Sequence, residues 1–175
     1  MNSAEEEYQV AQSALSDIEK TEQALFNETL QLTQEQTDEL EKKVDDLEKL
    51  LKERLELLKE EEASIKKANK SIAGFEKILE KTNDENKKYL EELKLAVEKR
   101  YELHSVFVVE YKKLTDLQKQ LYVMIPVKET ELHDLQKKVK EVNEQNKIVQ
   151  SAIDLFNKST ITVNGLKNEN IGNPK

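Results

Sequence analysis

The two histidines are the first residues of this 175-residue chain to test for chemistry, because imidazole serves both acid–base catalysis and metal binding. A helical di-metal site would need a glutamate three residues before a histidine on each of two helices. His104 and His133 instead follow Tyr101 and Thr130 at that spacing. The chain also has no cysteine, and its three glycines form no glycine-rich phosphate loop. We therefore expect no catalytic residues, no metal site and no cofactor, and we predict that the protein is not an enzyme.

Four polar side chains interrupt a long apolar heptad repeat and form a second candidate site. Arg54, Glu61, Arg100 and His104 all fall at the a and d positions of that repeat, called the seam below. The alignment of the two arms of the repeat sets Glu61 opposite His104, one helical turn from Arg100. One interpretation is an ionic switch that titrates with the histidine. We favour a structural role, because polar seam residues commonly fix the register of paired helices.

Positive charge is concentrated in the middle of a chain whose net charge is −8. Residues 66–100 hold ten basic and seven acidic side chains, and the other residues hold 18 basic and 29 acidic ones. The side chains that could contact an anionic polymer are Lys66, Lys67, Lys70, Lys81, Lys87 and Lys88. The simpler interpretation is a solvated helical face with ordinary i,i+4 charge pairs. In both interpretations the lysines lie on two helices, on either side of the turn that connects them.

The elements that position these side chains are two long helices with a sharp turn between them. Apolar residues recur at alternating spacings of three and four over 40–79, and the same repeat continues over 86–125. Thr82 and Glu85 have the spacing of a capping box, which starts a new helix. The chain is therefore expected to fold back there, with the two seams in contact. The expected seam partners are Leu40 with Ile125, Leu58 with Phe107, and Phe75 with Leu90.

Start and stop signals extend this hairpin to four helices. Thr33 and Gln36 form another capping box, Pro126 should end a helix, and Gly165 is expected to end the last one. The predicted helices cover about 4–29, 34–81, 83–125 and 130–164. Broad apolar faces at the end of the hairpin away from residue 82 need neighbours on several sides. The first and last helices should supply them.

The predicted fold is therefore an all-α, antiparallel, up-and-down four-helix bundle with a left-handed twist. It is built on the long hairpin of about 34–81 and 83–125 and tapers to a two-helix tip. Residues 1–165 should form one domain, and 166–175 a disordered C-terminal tail. No apolar run is long enough to cross a membrane, and the acidic net charge disfavours nucleic acid as a partner.

Four short segments resemble one known family in their order and spacing. They are Ile18–Asn27, Glu53–Glu61, Lys99–Tyr101 and Ile153–Lys158. The family is that of the YkyA-like putative cell-wall-binding lipoproteins of Gram-positive bacteria, and the likeness covers most of residues 5–160. The resemblance implies a non-enzymatic helical protein of the cell envelope, anchored at the outer face of the membrane by lipid on an N-terminal cysteine. Its partner would be a cell-wall polymer or another envelope protein. This sequence differs at its start, which is polar, and it contains no cysteine.

Two other functions stay open from the sequence. An intracellular coiled-coil adaptor or chaperone in the cytoplasm could clasp a protein partner between such helices, and a structural protein of a phage or mobile element is a third alternative. The sequence encoded upstream of Ser3 would distinguish an exported envelope protein from a cytoplasmic one. A hydrophobic signal that ends in a cysteine would mark an exported lipoprotein.

We predict that the chain is a monomer in solution, because the bundle buries its own broad apolar faces. Sedimentation equilibrium should give the mass of one 20.3 kDa chain. A stable dimer at low micromolar concentration would contradict this expectation and would indicate that an apolar face of the second hairpin helix is left uncovered.

Overall fold

The computed structural model describes residues 2–33, 35–70, 73–80, 82, 84–128 and 130–171, and all regular secondary structure in this part of the chain is α-helix. The helices are α1 (Asn2–Thr29), α2 (Thr37–Lys70), α3 (Ala73–Leu79), α4 (Asp84–Met124) and α5 (Leu132–Ile171). The predicted all-α class is therefore confirmed. At 1.5 Å per residue, the 41 residues of α4 form a rod of about 60 Å.

The first arm of the hairpin contains α2 and α3. Helix α2 begins at Thr37, three residues later than predicted, and the side-chain Oε1 of Gln36 accepts a hydrogen bond from the backbone N–H of Thr33 at 3.0 Å. This contact is half of the predicted capping box. The expected continuity of one helix over 34–81 depends on residues 71 and 72, which lie outside the described residues.

The turn between the two arms lies where the sequence predicted it. The Thr82 hydroxyl donates to the carbonyl of Ile78 at 2.6 Å, so it satisfies an acceptor near the end of α3. Helix α4 then begins at Asp84. The side chain of Glu85, the other member of the predicted capping box, lies outside the described residues.

The seam register between α2 and α4 agrees with the predicted alignment where side chains are described. Glu61 contacts His104 across the seam at 2.9 Å between Oε1 and Nε2. Leu58 and Phe107 belong to one buried cluster. The predicted contact between Phe75 and Leu90 lies outside the described side chains, because that of Phe75 is not among them.

Helices α1 and α5 pack on the two arms of the hairpin, α1 along α2 and α5 along α4, while α2 also packs against α4. The partners run in opposite directions. On the α1–α2 side, Glu7 pairs with Lys67 and Glu28 with Lys43. On the α4–α5 side, Gln145 bonds Glu110, and the hydroxyl of Tyr89 donates to the carbonyl of Leu166 at 2.6 Å.

The predicted end of the last helix is wrong. Helix α5 passes through Gly165 and continues to Ile171, so residues 166–171 are helical rather than a disordered tail, and residues 172–175 lie outside the described residues. No described glycine has a positive φ, so Gly165 is an ordinary helical residue. Val163 and Leu166 pack against Leu93 and Val97 of α4, and this packing outweighs the local stop signal.

The expected two-helix tip is also wrong, because α5 accompanies α4 as far as the Tyr89–Leu166 hydrogen bond.

The broad apolar segments of α4 were expected to be covered by neighbouring helices on several sides, and this expectation holds only in part. Phe107 and Val108 are buried, whereas Val109 and Val123 are exposed. Helix α4 therefore keeps apolar side chains on its solvent face.

We predict that Gly165→Ala raises the free energy of unfolding by about 0.5–1 kcal/mol, because alanine favours a helix interior over glycine. A Cβ at this position meets nothing within 4 Å. Gly165→Pro should instead cost about 3 kcal/mol or more. Denaturant unfolding followed by circular dichroism measures both values. A neutral proline variant would show that α5 ends at Gly165 after all.

Candidate functional site

A guanidinium group is buried at the centre of the bundle, where α1, α2 and α4 meet. Arg54 falls on the seam of α2, and its side chain is 3% exposed. Its Nε and Nη2 donate to the hydroxyl of Tyr111 on α4 at 2.9 and 2.8 Å. Its Nη1 donates to Glu22 Oε2 on α1 at 2.7 Å and to Gln118 Oε1 at 3.2 Å. One side chain therefore links three helices.

The carboxylate of Glu22 is fully engaged by this network. Its side chain is 2% exposed, and while Oε2 accepts from Arg54, Oε1 accepts from the hydroxyl of Tyr122. The hydroxyl of Tyr111 donates in turn to Oε1 of Glu19, which lies closer to solvent. We call Glu19, Glu22, Arg54, Tyr111, Gln118 and Tyr122 the Arg54 network.

The protonation states in the Arg54 network follow from burial and from charge. Burial raises the pKa of the Tyr111 and Tyr122 phenols above the ordinary value, and the neighbouring carboxylates add to the effect. Both phenols are therefore protonated and can donate. Burial by itself would lower the pKa of Arg54, but the interactions with Tyr111 and Glu22 outweigh it, so the guanidinium stays charged.

The Arg54 network forms one wall of a cavity of about 290 Å³. The cavity lies between the α1–α2 pair and the α4–α5 pair, and residues of α1 and α5 stand at its margin. Every member of the network except Tyr111 lines this cavity, together with Gln23, Phe26, Leu114, Leu121, Val139, Val142, Asn143 and Asn146. Gln23, Asn143 and Asn146 are exposed, so the cavity opens to solvent between α1 and α5.

The other three predicted seam residues form a separate cluster. Glu61 and His104 are buried and contact each other at 2.9 Å, and the second oxygen of Glu61, Oε2, has no hydrogen-bond partner. Arg100 is also buried, donates to Thr160 Oγ1 at 2.9 Å and lies over the ring of Phe156 at 5.1 Å. Arg54 does not join this group, because Leu58 separates it from Glu61 along α2.

The predicted lysines lie on the surface near the hairpin turn, as far as they are described. Lys66 pairs with Glu62 at 2.7 Å, and Lys67 pairs with Glu7 at 3.0 Å. Lys70, Lys87 and Lys88 are exposed and form no ion pair with a described residue, and Lys81 lies outside the described residues. We call this lysine-bearing end of the hairpin the basic end.

Sequence reasoning missed most of the Arg54 network, although two signals pointed to it. The alignment that set Glu61 opposite His104 also sets Arg54 opposite Tyr111. Glu22 is a charged residue inside the apolar repeat of α1, between Ile18 and Leu25. A buried charge needs an opposite charge, so these two interruptions should have been paired.

Within the described residues, no group of three or more histidine, aspartate or glutamate side chains could hold a metal ion. No helix in that part of the chain is long and apolar enough to span a membrane.

Comparison with known proteins gives two positive findings. A family model named YkyA, described as "Putative cell-wall binding lipoprotein", matches residues 1–171. A crystal structure of a conserved protein of unknown function from Staphylococcus aureus has a similar fold, with a TM-score of 0.80 and 23% sequence identity. That match covers 96% of this chain and 84% of the other. A search of curated proteins finds no significant match.

We predict that Arg54→Met lowers the free energy of unfolding by about 3–5 kcal/mol, because it leaves the carboxylate of Glu22 buried without a positive charge. Adding Glu22→Gln should recover part of that loss. Lys43→Met is the matched control, since it removes the pair with the exposed Glu28 and should cost less than about 1 kcal/mol. Urea unfolding measures all three. Equal effects of Arg54→Met and Lys43→Met would show that the network does not stabilise the fold.

Proposed function

Since this chain belongs to the YkyA family, whose description is that of cell-wall binding lipoproteins, we propose that it is a non-enzymatic protein of the cell envelope. The proposal includes a lipid anchor ahead of α1 and a weak, reversible contact between the basic end and a polymer that carries phosphate. The residues that would make the contact are Lys66, Lys67, Lys70, Lys81, Lys87 and Lys88. The exposure of Lys70, Lys87 and Lys88, which have no described ion-pair partner, is the observation that carries it.

The distribution of charge supports this choice of ligand. Residues 66–100 carry a net charge of +3 and the rest of the chain, with 18 basic and 29 acidic side chains, carries −11, so a long polyanion would be attracted to the basic end and repelled elsewhere. Lys66 and Lys67 are partly neutralised by Glu62 and Glu7. The contact should depend on salt, because exposed charges are screened beyond about 8 Å at physiological ionic strength.

The direction of α1 decides which end of the protein would face the membrane. Near its start, Glu7 pairs with Lys67, and near its end, Glu28 pairs with Lys43. A lipid anchor ahead of α1 would therefore hold the basic end on the membrane side. The α1–α2 and α4–α5 connections would face outward, toward the wall. This orientation reverses the simplest picture, in which the lysine-bearing tip is the part farthest from the membrane.

The finer geometry of the proposal is an antiparallel, up-and-down four-helix bundle with a left-handed twist, in which α2 and α3 together form the first arm. The opposite directions of α1 and α2, and of α4 and α5, support it. Such a bundle would act as a rod of about 60 Å, set by the length of α4. It would carry binding surfaces at a fixed distance from the membrane.

We predict that the triple variant Lys70→Glu, Lys87→Glu and Lys88→Glu reduces binding to purified cell walls by about tenfold or more at low salt, since each basic residue near an anionic surface contributes about 1 kcal/mol. The measurement is cosedimentation with walls, with helicity checked by circular dichroism. The matched control changes three exposed lysines of α5, Lys137, Lys147 and Lys158, to glutamate.

The same assay with vesicles of anionic lipid identifies the source of the phosphate groups. Loss of wall binding with unchanged vesicle binding would assign the lysines to a wall polymer, and the reverse result would assign them to lipid head groups. If walls retained the triple variant as well as the α5 control, and vesicles did the same, the basic end would have no binding role.

A further inference from the structure

We propose that the cavity between α1 and α5 is a binding site for a neutral saccharide that carries an amide group, such as an N-acetylated sugar. This inference deepens the proposed wall-binding function and rests on it for the source of the ligand. It concerns a different surface from the basic end and a different chemistry.

The cavity has the form of a prepared site rather than a packing defect. An empty space left by imperfect packing in a helical core is lined by apolar side chains and stays dry. Leucines and valines line part of this cavity, but its floor is charged and is made by Arg54 and Glu22, both more than nine-tenths buried. The contacts of these two residues to Tyr111, Tyr122 and Gln118 hold the floor in one conformation.

The side-chain amides around the cavity supply hydrogen-bonding groups that the protein does not use itself. Gln118 accepts from Arg54 through Oε1, and no described residue accepts from its Nε2. Gln23 donates through Nε2 to Asn27, which leaves its Oε1 as an acceptor. Asn143 and Asn146 lie one turn apart on α5 and line the opposite side.

The charge of the lining selects against anions. Glu19 and Glu22 face a single cation, Arg54, whose donors are already occupied by these carboxylates and by Tyr111 and Gln118. A phosphate or carboxylate would meet a surplus of negative charge without an available cation. A neutral ligand with hydroxyl and amide groups would meet donors and acceptors of both kinds.

Size and apolar surface narrow the ligand further. About 290 Å³ lies just below the roughly 300–1,000 Å³ of ordinary ligand pockets, so the cavity suits one sugar ring, with any second ring at its open margin. Phe26 is half-buried at the margin, and Val139 and Val142 lie on the α5 side. These side chains offer apolar contact for the face of a sugar ring and for the methyl of an acetamido group, whose amide the side-chain amides can bond in both directions.

The position of the cavity agrees with this ligand. Glu22 and Phe26 belong to the part of α1 that is remote from the basic end, since Glu28 lies beside Lys43. In the proposed orientation the cavity lies nearer the outer end of the bundle, on the side of the wall glycan, and opens sideways between α1 and α5. The basic end and the cavity would then contact different components of one layer.

The test uses the full chain and N,N′-diacetylchitobiose as the probe, with binding measured by titration calorimetry and by shifts of side-chain amide signals in NMR spectra. We expect binding about tenfold or more tighter than that of cellobiose, which has the same ring size without the acetamido groups. The double variant Asn143→Ala and Asn146→Ala should weaken it by a similar factor. The matched control removes two exposed amides of α5 outside the cavity, with Gln150→Ala and Asn157→Ala.

The outcomes separate this inference from the wall-binding proposal. No binding of the probe at millimolar concentration, equal binding of cellobiose, competition by inorganic phosphate, or an unchanged affinity in the Asn143/Asn146 variant would each overturn the inference. The Lys70/Lys87/Lys88 variant should bind the probe like the parent. The probe could bind while cell walls retain the lysine triple variant as well as the parent. That result would support the saccharide site and would rule out a binding role for the basic end.

Discussion

The charge of Arg54 is the constraint on which the arrangement of the helices depends. A guanidinium removed from water is tolerated only if its donors are bonded and its charge is balanced nearby. Here the bonding groups come from two other helices, with Glu22 on α1 and Tyr111 and Gln118 on α4. Sliding α1 or α4 by one turn relative to α2 would leave the guanidinium buried without its hydrogen-bond partners. Apolar heptad contacts alone would survive a slip of seven residues, so the polar contacts decide the register.

The same contacts explain how a bundle of regular helices can keep an open cavity. Leu114, Leu121, Val139 and Val142 line part of the cavity, but they do not close it. The Arg54 network presents a polar floor whose groups are hydrogen-bonded to one another, so it needs no apolar cover. The second cluster, with Glu61 and His104, shows the opposite arrangement, since it is sealed between the rings of Phe107 and Phe156 and faces no described cavity.

The two candidate surfaces differ in physical character and lie toward opposite ends of the rod. The basic end offers flexible, exposed charges that favour a repetitive polyanion and bind it weakly. The cavity offers fixed donors and acceptors that favour one neutral group. A protein with both could stay loosely associated with a charged layer while it selects a particular unit within it. The rigid helices between the two surfaces would set the distance between the contacts.

The sequence by itself determined the positions of the helices to within a few residues and the turn near Thr82, because heptad spacing and helix-start signals are local. Counting heptads from that turn also predicts the α2–α4 alignment, which the polar contacts then hold in place. It placed Arg54, Glu61, Arg100 and His104 in the interior, and the structure confirms their burial. Local signals failed at Gly165, where packing of Val163 and Leu166 on α4 continues the helix.

Only the tertiary structure decided which buried charges share a network. The partners of Arg54 come from α1 and α4 and lie 32 and 57 residues away along the chain. The heptad repeat of one hairpin contains no information about the rotation of α1 around α2. The cavity likewise arises from the distance between α1 and α5, which depends on how both helices pack on the hairpin and on no residue of either helix alone.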